Sequence, residues 1–283
     1  MYTYNNLLVD QNYLTRAGAE LRFIGHTAAG RAIPCFHAGS YSGRQALVHG
    51  GIHAREHVTC QLVVEQIYYF LRRHSPRGQG GVYFIPMVNI DGISLCQFGL
   101  CSVSEASARC RLIRVNEQRG PDFSDWKANL NAVDLNTNFP ARWGTGELNV
   151  REPSPENYIG AAAASEPEIR ALMAFTEEVR PDVTVSYHCK GQEIYWDFYQ
   201  DAPEYERDRA LGGKLARLTG YTLTQTGASA GGYKDWCISH LKIPSYTIEI
   251  VPDSAKYPVS YAYLTDEFRR NKDVPLLLIE NEQ

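Results

Sequence analysis

Residues 45–72 read QALVHGGIHAREHVTCQLVVEQIYYFLR, and this stretch joins a strand pattern directly to a helix pattern. The run Gln45–His49 is apolar on both alternating faces, which is typical of a central strand that helices cover on both sides. Two glycines mark the turn that follows. In residues 59–72, the apolar side chains that fall near one face of a helix are Leu62, Ile67, Phe70 and Leu71. A strand, a turn and a helix in this order indicate one unit of an α/β fold.

The alternation of strand and helix patterns continues on both sides of this unit. Further β-rich runs occur at residues 20–25, 32–37, 82–86, 183–187 and 246–251. Helices are predicted after the capping box Ser165-Glu-Pro-Glu168, ending before Pro181, and at residues 205–218, 232–240 and 261–282. No linker, low-complexity block or repeat interrupts them. We therefore predict a single domain over residues 1–283, with a three-layer α/β/α architecture around a central mixed, mostly parallel twisted sheet.

Residues 99–158 show little regular periodicity and are rich in Asn, Asp, Pro and Arg. Irregular stretches of this length are usually functional or disordered. Because the stretch is so polar, we expect it to contribute to function.

Charge and cysteine content exclude several classes of protein. The 28 Lys and Arg residues stand against 32 Asp and Glu residues, so bulk attraction to nucleic acid or to an anionic membrane is not expected. The seven cysteines are an odd number without a CxxC pair, which indicates free thiols in a reducing compartment. The first residues lack the features of a signal peptide, and no apolar run reaches the about 20 residues that span a bilayer. We therefore expect a cytoplasmic protein without a nucleic-acid or membrane partner.

The turn after residues 45–49 carries a candidate metal site. His53 and Glu56 are three residues apart, so one imidazole and one carboxylate can face the same cation. Alone, such a pair is more often two solvated polar residues. His188 ends the apolar run 183–187, where it is either a buried structural histidine or a third ligand. With His188 the set becomes a His2Glu catalytic zinc site that keeps one position open for water.

A second acidic residue needs an explanation, because Glu249 stands in the middle of the apolar run 246–251. Ionised carboxylates are rarely buried without a partner. Glu249 is therefore either one half of a structural ion pair or a general base beside the metal.

These residues carry a family resemblance: the sequence resembles the zinc metallocarboxypeptidases of the carboxypeptidase A type. The motifs that support the resemblance lie at residues 24–31, 53–56, 126–139, 186–188, 231–232 and 247–249. Six motifs in the same order along nearly the whole chain leave little room for chance. The resemblance implies a carboxypeptidase-like fold and a zinc metallopeptidase.

The resemblance also implies roles for individual residues. One zinc ion per chain would be held by His53, Glu56 and His188. Asp134 would orient His53, as metal-bound imidazoles commonly require. Glu249 would take a proton from the attacking water and pass it to the leaving amine.

The cationic residues depart in part from the family pattern. Where the family has an arginine that stabilises the oxyanion, Trp126 is followed by Lys127, a point charge without the planar fork of arginine. Arg55, between the two metal ligands, is a predicted substrate-binding cation. The family holds the terminal carboxylate of its substrate with an Asn-Arg pair, but here Asn136 precedes Thr137. This loss puts simple C-terminal exopeptidase activity in doubt.

Two other arginines, Arg119 and Arg142, are candidates to bind the terminal carboxylate of the substrate in place of the missing arginine. Sequence spacing alone does not choose between them.

Two lysines point to an anionic substrate. Lys234 lies two residues after the Gly-Gly pair, where the family places the residue at the base of its specificity pocket. Residues 134–141, 186–196 and 229–236 resemble the bacterial γ-D-glutamyl-meso-diaminopimelate peptidases, which cut cell-wall stem peptides. Diaminopimelate has a carboxylate and an ammonium at the end of its side chain, so Lys234 would meet that carboxylate. Lys190 would contact the D-glutamyl carboxylate.

The sequence thus predicts a zinc peptidase that cleaves γ-D-Glu-diaminopimelate bonds of peptidoglycan stem peptides. Two alternatives stay open: a zinc carboxypeptidase acting on ordinary acidic peptides, and a non-catalytic protein that binds wall fragments. A small-molecule deacylase with the same metal triad is also conceivable. In the leading hypothesis, one cleft gathers the cations Arg55, Lys127, Lys190 and Lys234.

Overall fold

Eight strands form one mixed sheet in the computed structural model, which describes residues 1–74 and 78–280. The strands are β1 (Glu20–His26), β2 (Ala32–Gly39), β3 (Gln45–His49), β4 (Gly81–Ile85), β5 (Val183–Cys189), β6 (Glu193–Tyr195), β7 (Thr222–Thr224) and β8 (Ser245–Ile250). Their order across the sheet is β1-β2-β4-β3-β5-β8-β6-β7. The central strands β4, β3, β5 and β8 pair in parallel, whereas β1, β2 and β6 add antiparallel pairings. The predicted mixed sheet is confirmed.

The helices of the described residues cover both faces of the sheet. They are α1 (Tyr4–Arg16), α2 (Val58–Arg73), α3 (Ile90–Phe98), α4 (Ala106–Val115), α5 (Pro167–Val179), α6 (Ala202–Thr219), α7 (Tyr233–Trp236), α8 (Leu264–Asn271) and α9 (Val274–Leu278). On one face, Gln66 of α2 donates a hydrogen bond to the hydroxyl of Tyr187, 2.7 Å away. On the other, the ring of Tyr233 in α7 packs edge-on against His49, which lies opposite Ser186. Because Ser186 and Tyr187 are neighbours on one strand, they point to opposite faces, and the three-layer prediction is confirmed.

The register of the central strands brings their carboxyl ends together. In β3 and β5, His49 lies opposite Ser186. Two residues after Ser186 on β5, His188 lies opposite Glu249 of β8. Polar side chains from three strands therefore meet at one edge of the sheet, where the ligands of open α/β sheets usually bind.

The predicted start of α5 is wrong. The helix begins at Pro167, with Glu166 as the N-cap residue and no side-chain capping bond. Ser165 donates its hydroxyl to the Glu166 carboxylate, and Glu168 accepts a hydrogen bond from the backbone of Ala28 instead. Both side chains of the expected capping box thus have other partners.

The predicted helix at 261–282 is also wrong as one unbroken element. A 3-10 turn precedes α8, and α8 and α9 are separate helices. Pro275 lies in the first turn of α9, where the missing N–H is tolerated but a helix cannot continue from before it. Residues 281–282 of this prediction lie outside the described part of the chain.

Other helical predictions need smaller changes. The predicted helix at 232–240 is the short α7 followed by a π-helix, Cys237–Leu241. The irregular stretch 99–158 contains one regular helix, α4, and α1 was not predicted. No helix within residues 1–74 and 78–280 is both long and apolar enough to cross a membrane. All seven cysteines are free thiols, and five of them are buried.

Candidate active site

The turn after β3 places two of the predicted metal ligands. Gly51 adopts a φ of +63°, and a Cβ atom there would lie 2.4 Å from the sulfur of Cys60, so the turn requires glycine. His53 then precedes a single 3-10 turn, Ala54–Glu56, which turns the Glu56 carboxylate back towards the His53 ring. The Nδ1 atom of His53 lies 2.9 Å from Oε1 of Glu56.

The third predicted ligand comes from β5 and meets the other two. The Nδ1 atom of His188 lies 3.1 Å from Nδ1 of His53 and 3.3 Å from Oε2 of Glu56. The Glu56 carboxylate is further fixed by the backbone N–H of Cys189, at 3.1 Å. All three side chains are buried. Two imidazole nitrogens and a carboxylate that face one another in a buried site form a donor set suited to zinc.

Asp134 fixes the orientation of His53. Its Oδ1 atom lies 3.1 Å from Nε2 of His53, which leaves Nδ1 facing Glu56 and His188. Its Oδ2 atom pairs with the ammonium of Lys127 at 2.7 Å and accepts the N–H of Asn157 at 3.2 Å. The backbone N–H of Asn136 donates to Oδ1 at 3.1 Å. The buried carboxylate is therefore fully paired.

These contacts set the protonation of the site. Burial alone would raise the pKa of Asp134, but the charges of Lys127 and His53 outweigh it and hold that pKa well below its usual range. Burial likewise opposes ionisation of Glu56, whose pKa is nevertheless lowered by the charge of His53 and the hydrogen bonds of both histidines. Burial lowers the pKa of His188. Both carboxylates are thus ionised and His188 is neutral at pH 7, which are the forms that bind a metal. Burial opposes protonation of His53, but the charge of Glu56 outweighs it and raises the pKa of His53, so a metal bound there would displace a proton.

Glu249 lies beside these ligands without a partner of its own. It is in register with His188, and its Oε2 atom is buried with no hydrogen-bond partner among the described residues. Burial, with the negative charge of Glu56, raises the pKa of Glu249 well above the ordinary value. The structural ion pair considered from the sequence is not present in the described residues, since no cation lies within salt-bridge distance of this carboxylate.

Two cavities of about 260 Å³ each open beside this centre. The first is lined by the ligand His53, by Lys127 and Asp134, and by the loop residues 146–149. The second extends from Glu249 and Thr247 to Lys234. Asn136 lines both cavities, and its side-chain carbonyl accepts the N–H of Tyr233 at 3.0 Å. The amide NH2 of Asn136 is thereby left as a donor where the two cavities meet.

Lys234 is one of the residues that line the second cavity. Only 6% of its side chain is exposed, and its ammonium pairs with Asp235 at 2.6 Å. Lys127 lines the first cavity and also donates to the side chain of Asn157, at 3.2 Å.

Arg55 and Lys190 line neither cavity and lie near the Tyr257 ring. The guanidinium of Arg55 stacks 4.1 Å from the centre of that ring and pairs with Asp125 and Glu156, each at 3.0 Å. The ammonium of Lys190 lies 5.9 Å from the same ring and pairs with Asp253 at 3.0 Å. The four predicted cations therefore form two groups: Lys127 and Lys234 line the cavities, and Arg55 and Lys190 lie near Tyr257.

Thr137 lines the first cavity, whereas the two candidate arginines, Arg119 and Arg142, line neither cavity. The hydroxyl of Thr137 donates to the backbone of Asp134 at 2.9 Å. Arg119 is paired with Asp125 and Glu156, and exposed Arg142 stacks 3.7 Å from the centre of the Tyr199 ring.

Sequence reasoning missed three residues of this site. Asn157 holds Lys127 and Asp134 together, and Asp235 pairs with Lys234. Tyr195, on the short strand β6, lines the second cavity. Asp235 directly follows Lys234, so the sequence alone could have indicated that the two side chains pair. Asn157 lies in an irregular loop, where no sequence pattern indicates its partners.

The His2Glu donor set on this α/β scaffold defines a metallopeptidase. Residues 18–272 match the peptidase M14 family of zinc carboxypeptidases, and the chain belongs to this family. Bovine thrombin-activatable fibrinolysis inhibitor, solved with a tick carboxypeptidase inhibitor, superposes with a TM-score of 0.76 at 18% identity, covering 98% of this chain and 95% of that one. That likeness confirms the carboxypeptidase-like fold.

Two relatives have names that state the kind of peptide on which they act. The γ-D-glutamyl-L-diamino acid endopeptidase 1 of Lysinibacillus sphaericus is 30% identical over 276 residues, which are 92% of this chain and 68% of the relative. Murein peptide amidase A of Escherichia coli K12 is 28% identical over 243 residues, 82% of this chain and 81% of the relative. A third relative, YqgT of Bacillus subtilis, has no described function; the match covers 64% of its length.

Proposed function

We propose that this zinc peptidase hydrolyses the amide bond between the γ-carboxyl of D-glutamate and diaminopimelate in peptidoglycan stem peptides. The observation that carries the proposal is the second cavity, which connects the unpaired carboxylate of Glu249 with the buried ammonium of Lys234. A long side chain that ends in a carboxylate fits such a cavity, since a buried cation in the lining attracts an anion. The names of two relatives, a γ-D-glutamyl-L-diamino acid endopeptidase and a murein peptide amidase, are in keeping with such a substrate.

His53, Glu56 and His188 would hold the zinc ion. The fit rests on their two Nδ1 atoms and the Glu56 carboxylate, which face one another within 3.3 Å, while Asp134 holds the far nitrogen of His53. Bound zinc would polarise the scissile carbonyl and make water a better nucleophile at neutral pH.

Glu249 would act as the general base and then as the general acid. Its buried, unpaired Oε2 atom is free to accept a proton from the attacking water. The same oxygen would then return that proton to the leaving amine of diaminopimelate.

Lys127 would stabilise the oxyanion. An ammonium has three N–H donors, and the contacts to Asp134 and Asn157 use two of them. The third remains for an oxygen in the first cavity, which Lys127 lines. The Asn136 amide would bind a carboxylate of diaminopimelate, in place of the family's Asn-Arg pair.

Arg55 and Lys190 would bind substrate groups outside the two cavities. Both are already paired with carboxylates. A substrate carboxylate, such as that of D-glutamate, would therefore have to exchange with Asp125 or Asp253. We expect a smaller contribution from these residues than from Lys234.

A carboxypeptidase acting on acidic peptides is the second candidate, because Lys234 would also attract a glutamate side chain. Mass spectrometry after digestion of L-Ala-γ-D-Glu-meso-diaminopimelate with zinc-loaded protein separates the two. We expect release of diaminopimelate, and no release of C-terminal glutamate from an α-linked control peptide. The reverse result would establish the second candidate.

The Glu249→Gln variant tests catalysis itself. We expect it to keep its zinc and to lose about 10² to 10⁴-fold in rate, the usual contribution of general acid-base catalysis. Glu178→Gln is the matched control, since Glu178 is exposed and pairs with Arg22 away from the site. A non-catalytic binding protein would release no diaminopimelate in any of the three forms.

A further inference from the structure

Part of the lining of the second cavity is an ion pair and not a single cation. Lys234 and Asp235 both line this cavity, and their side chains are only 6% and 3% exposed. The ammonium of Lys234 lies 2.6 Å from Oδ1 of Asp235 and donates to the backbone carbonyl of Asp197 at 2.8 Å. The cavity therefore presents a positive and a negative group side by side.

Both members of the pair keep hydrogen-bonding capacity for a ligand. An ammonium has three donors, and Lys234 uses two. A carboxylate offers about four acceptor positions, and Asp235 accepts one bond from Lys234 and one from the N–H of Gly232, at 3.0 Å. One donor and about two acceptor positions remain.

The charge pattern selects against singly charged side chains. A lone carboxylate in this cavity is attracted by Lys234 and repelled by Asp235, and a lone ammonium experiences the opposite. A group that carries both charges on neighbouring atoms can pair with both residues at once. The distal end of diaminopimelate is such a group, because it bears an ammonium and a carboxylate on one carbon.

We propose, resting on the function proposed above, that Asp235 binds the distal ammonium of diaminopimelate while Lys234 binds the distal carboxylate. The ion pair then binds both charged groups at the distal end of the diaminopimelate side chain. The substrate class is a stem peptide whose distal amine and carboxylate are both unmodified. Peptides with lysine at this position, with an acylated distal amine as in a cross-link, or with an amidated distal carboxylate are poor substrates.

Four peptides of the form L-Ala-γ-D-Glu-X test the assignment. X is meso-diaminopimelate, L-lysine, L-2-aminopimelate, which lacks the distal amine, or diaminopimelate acetylated on its distal amine. For the zinc-loaded wild-type protein we expect kcat/KM to be at least 10-fold higher for diaminopimelate than for each of the other three.

Two variants should change the preference in opposite directions. Lys234→Met leaves an unpaired carboxylate, so the ratio of kcat/KM for the lysine peptide to that for the diaminopimelate peptide should rise at least 10-fold. Asp235→Asn leaves an unpaired ammonium, so the corresponding ratio for the 2-aminopimelate peptide should rise by a similar factor. Lys242→Met is the control, because half-exposed Lys242 pairs with Glu204 away from the cavity, and it should leave both ratios unchanged.

The outcomes separate this inference from the function on which it rests. If no peptide is cleaved although zinc is bound, the proposed function fails, and the assignment fails with it. If all four are cleaved within 3-fold of one another, only the assignment is overturned. A uniform loss in Asp235→Asn without a change of preference would show that Asp235 serves only to hold Gly232. Should Asp235→Asn fail to fold, the wild-type comparison of the diaminopimelate and 2-aminopimelate peptides still decides, since equal kcat/KM for these two would overturn the role of Asp235.

Discussion

Replacing Asp134 by asparagine tests how strongly the metal site depends on a residue that would not touch the metal. Asp134 is fully buried, and its two oxygens connect His53 to Lys127. Asparagine has nearly the same volume and keeps one acceptor oxygen, so Asp134→Asn removes the charge with little change in packing. We expect weaker zinc binding and lower stability.

The structure sets the size of both effects. Loss of the group that orients a ligating histidine typically costs 10 to 100-fold in metal affinity, or about 1.4 to 2.7 kcal/mol. Leaving one member of a buried ion pair unpaired costs about 3 to 5 kcal/mol. The ammonium of Lys127 would be left unpaired, and because 16% of its side chain is exposed to water, we expect the lower end of that range.

The stability effect should depend on pH in a defined direction. The pKa of Asp134 is lowered in the folded protein, so its contribution is fully present above the unfolded value of about 3.9 and is lost as the pH falls through the folded value. The wild-type protein and Asp134→Asn should therefore differ in free energy of unfolding at pH 7 and converge in strong acid.

Zinc affinity is measured by competition with a chromogenic chelator, and stability by urea unfolding of the zinc-free proteins. Asp208→Asn is the matched control: Asp208 is equally buried but lies on helix α6, where it pairs with Arg207 and Gln200 and with none of the proposed zinc ligands. It should lower stability and leave zinc affinity unchanged. An Asp134→Asn protein that binds zinc as tightly as the wild type would refute the reasoning.

Three further predictions concern stability. Burial raises the pKa of Glu168 to about 7, so the folded protein holds a proton that the unfolded chain releases, and stability falls as the pH rises from about 4.5 to 7. Glu168→Gln should therefore match the wild type in urea unfolding at pH 4 and exceed it by about 3 kcal/mol at pH 8; equal pH slopes would contradict this. Gly231→Ala should lower the melting temperature and the rate together, because Gly231 has a φ of +86° and a Cβ there would lie 2.7 Å from the carbonyl oxygen of Thr137. Phe139→Ala should cost about 3 to 5 kcal/mol in urea unfolding, because this fully buried ring packs against Trp236; a loss below 1 kcal/mol would show that the core closes over the gap.

The sequence led us to expect that His53, Glu56 and His188 would lie together, as they do, because they stand at or just after the ends of strongly apolar strands. A run such as 183–187 is a strand in most folds, and the carboxyl ends of adjacent parallel strands must meet. His188 and Glu249 were thus expected near each other before their pairing was known, and they are direct partners in the register.

The partners of the cations could not be predicted in the same way. Asp125 and Glu156, which hold Arg55, come from two places in an irregular stretch, and no periodicity relates them to each other. Short edge strands such as β6 carry too few residues for a pattern of alternation. Helix α1 was missed since only Leu7 and Leu14 of its residues are fully buried, one heptad apart.

The paired state of the cations also changes how the cleft recognises anions. The leading hypothesis from the sequence placed four cations in one cleft, namely Arg55, Lys127, Lys190 and Lys234. In the structure, each of these cations is paired with a carboxylate. Neighbouring opposite charges cancel at a distance, so such a cleft attracts remote anions weakly. At contact distance each pair still presents two separate charges in fixed positions. Under the proposed function, specificity would therefore depend on the arrangement of charges within the substrate more than on the net charge of the substrate.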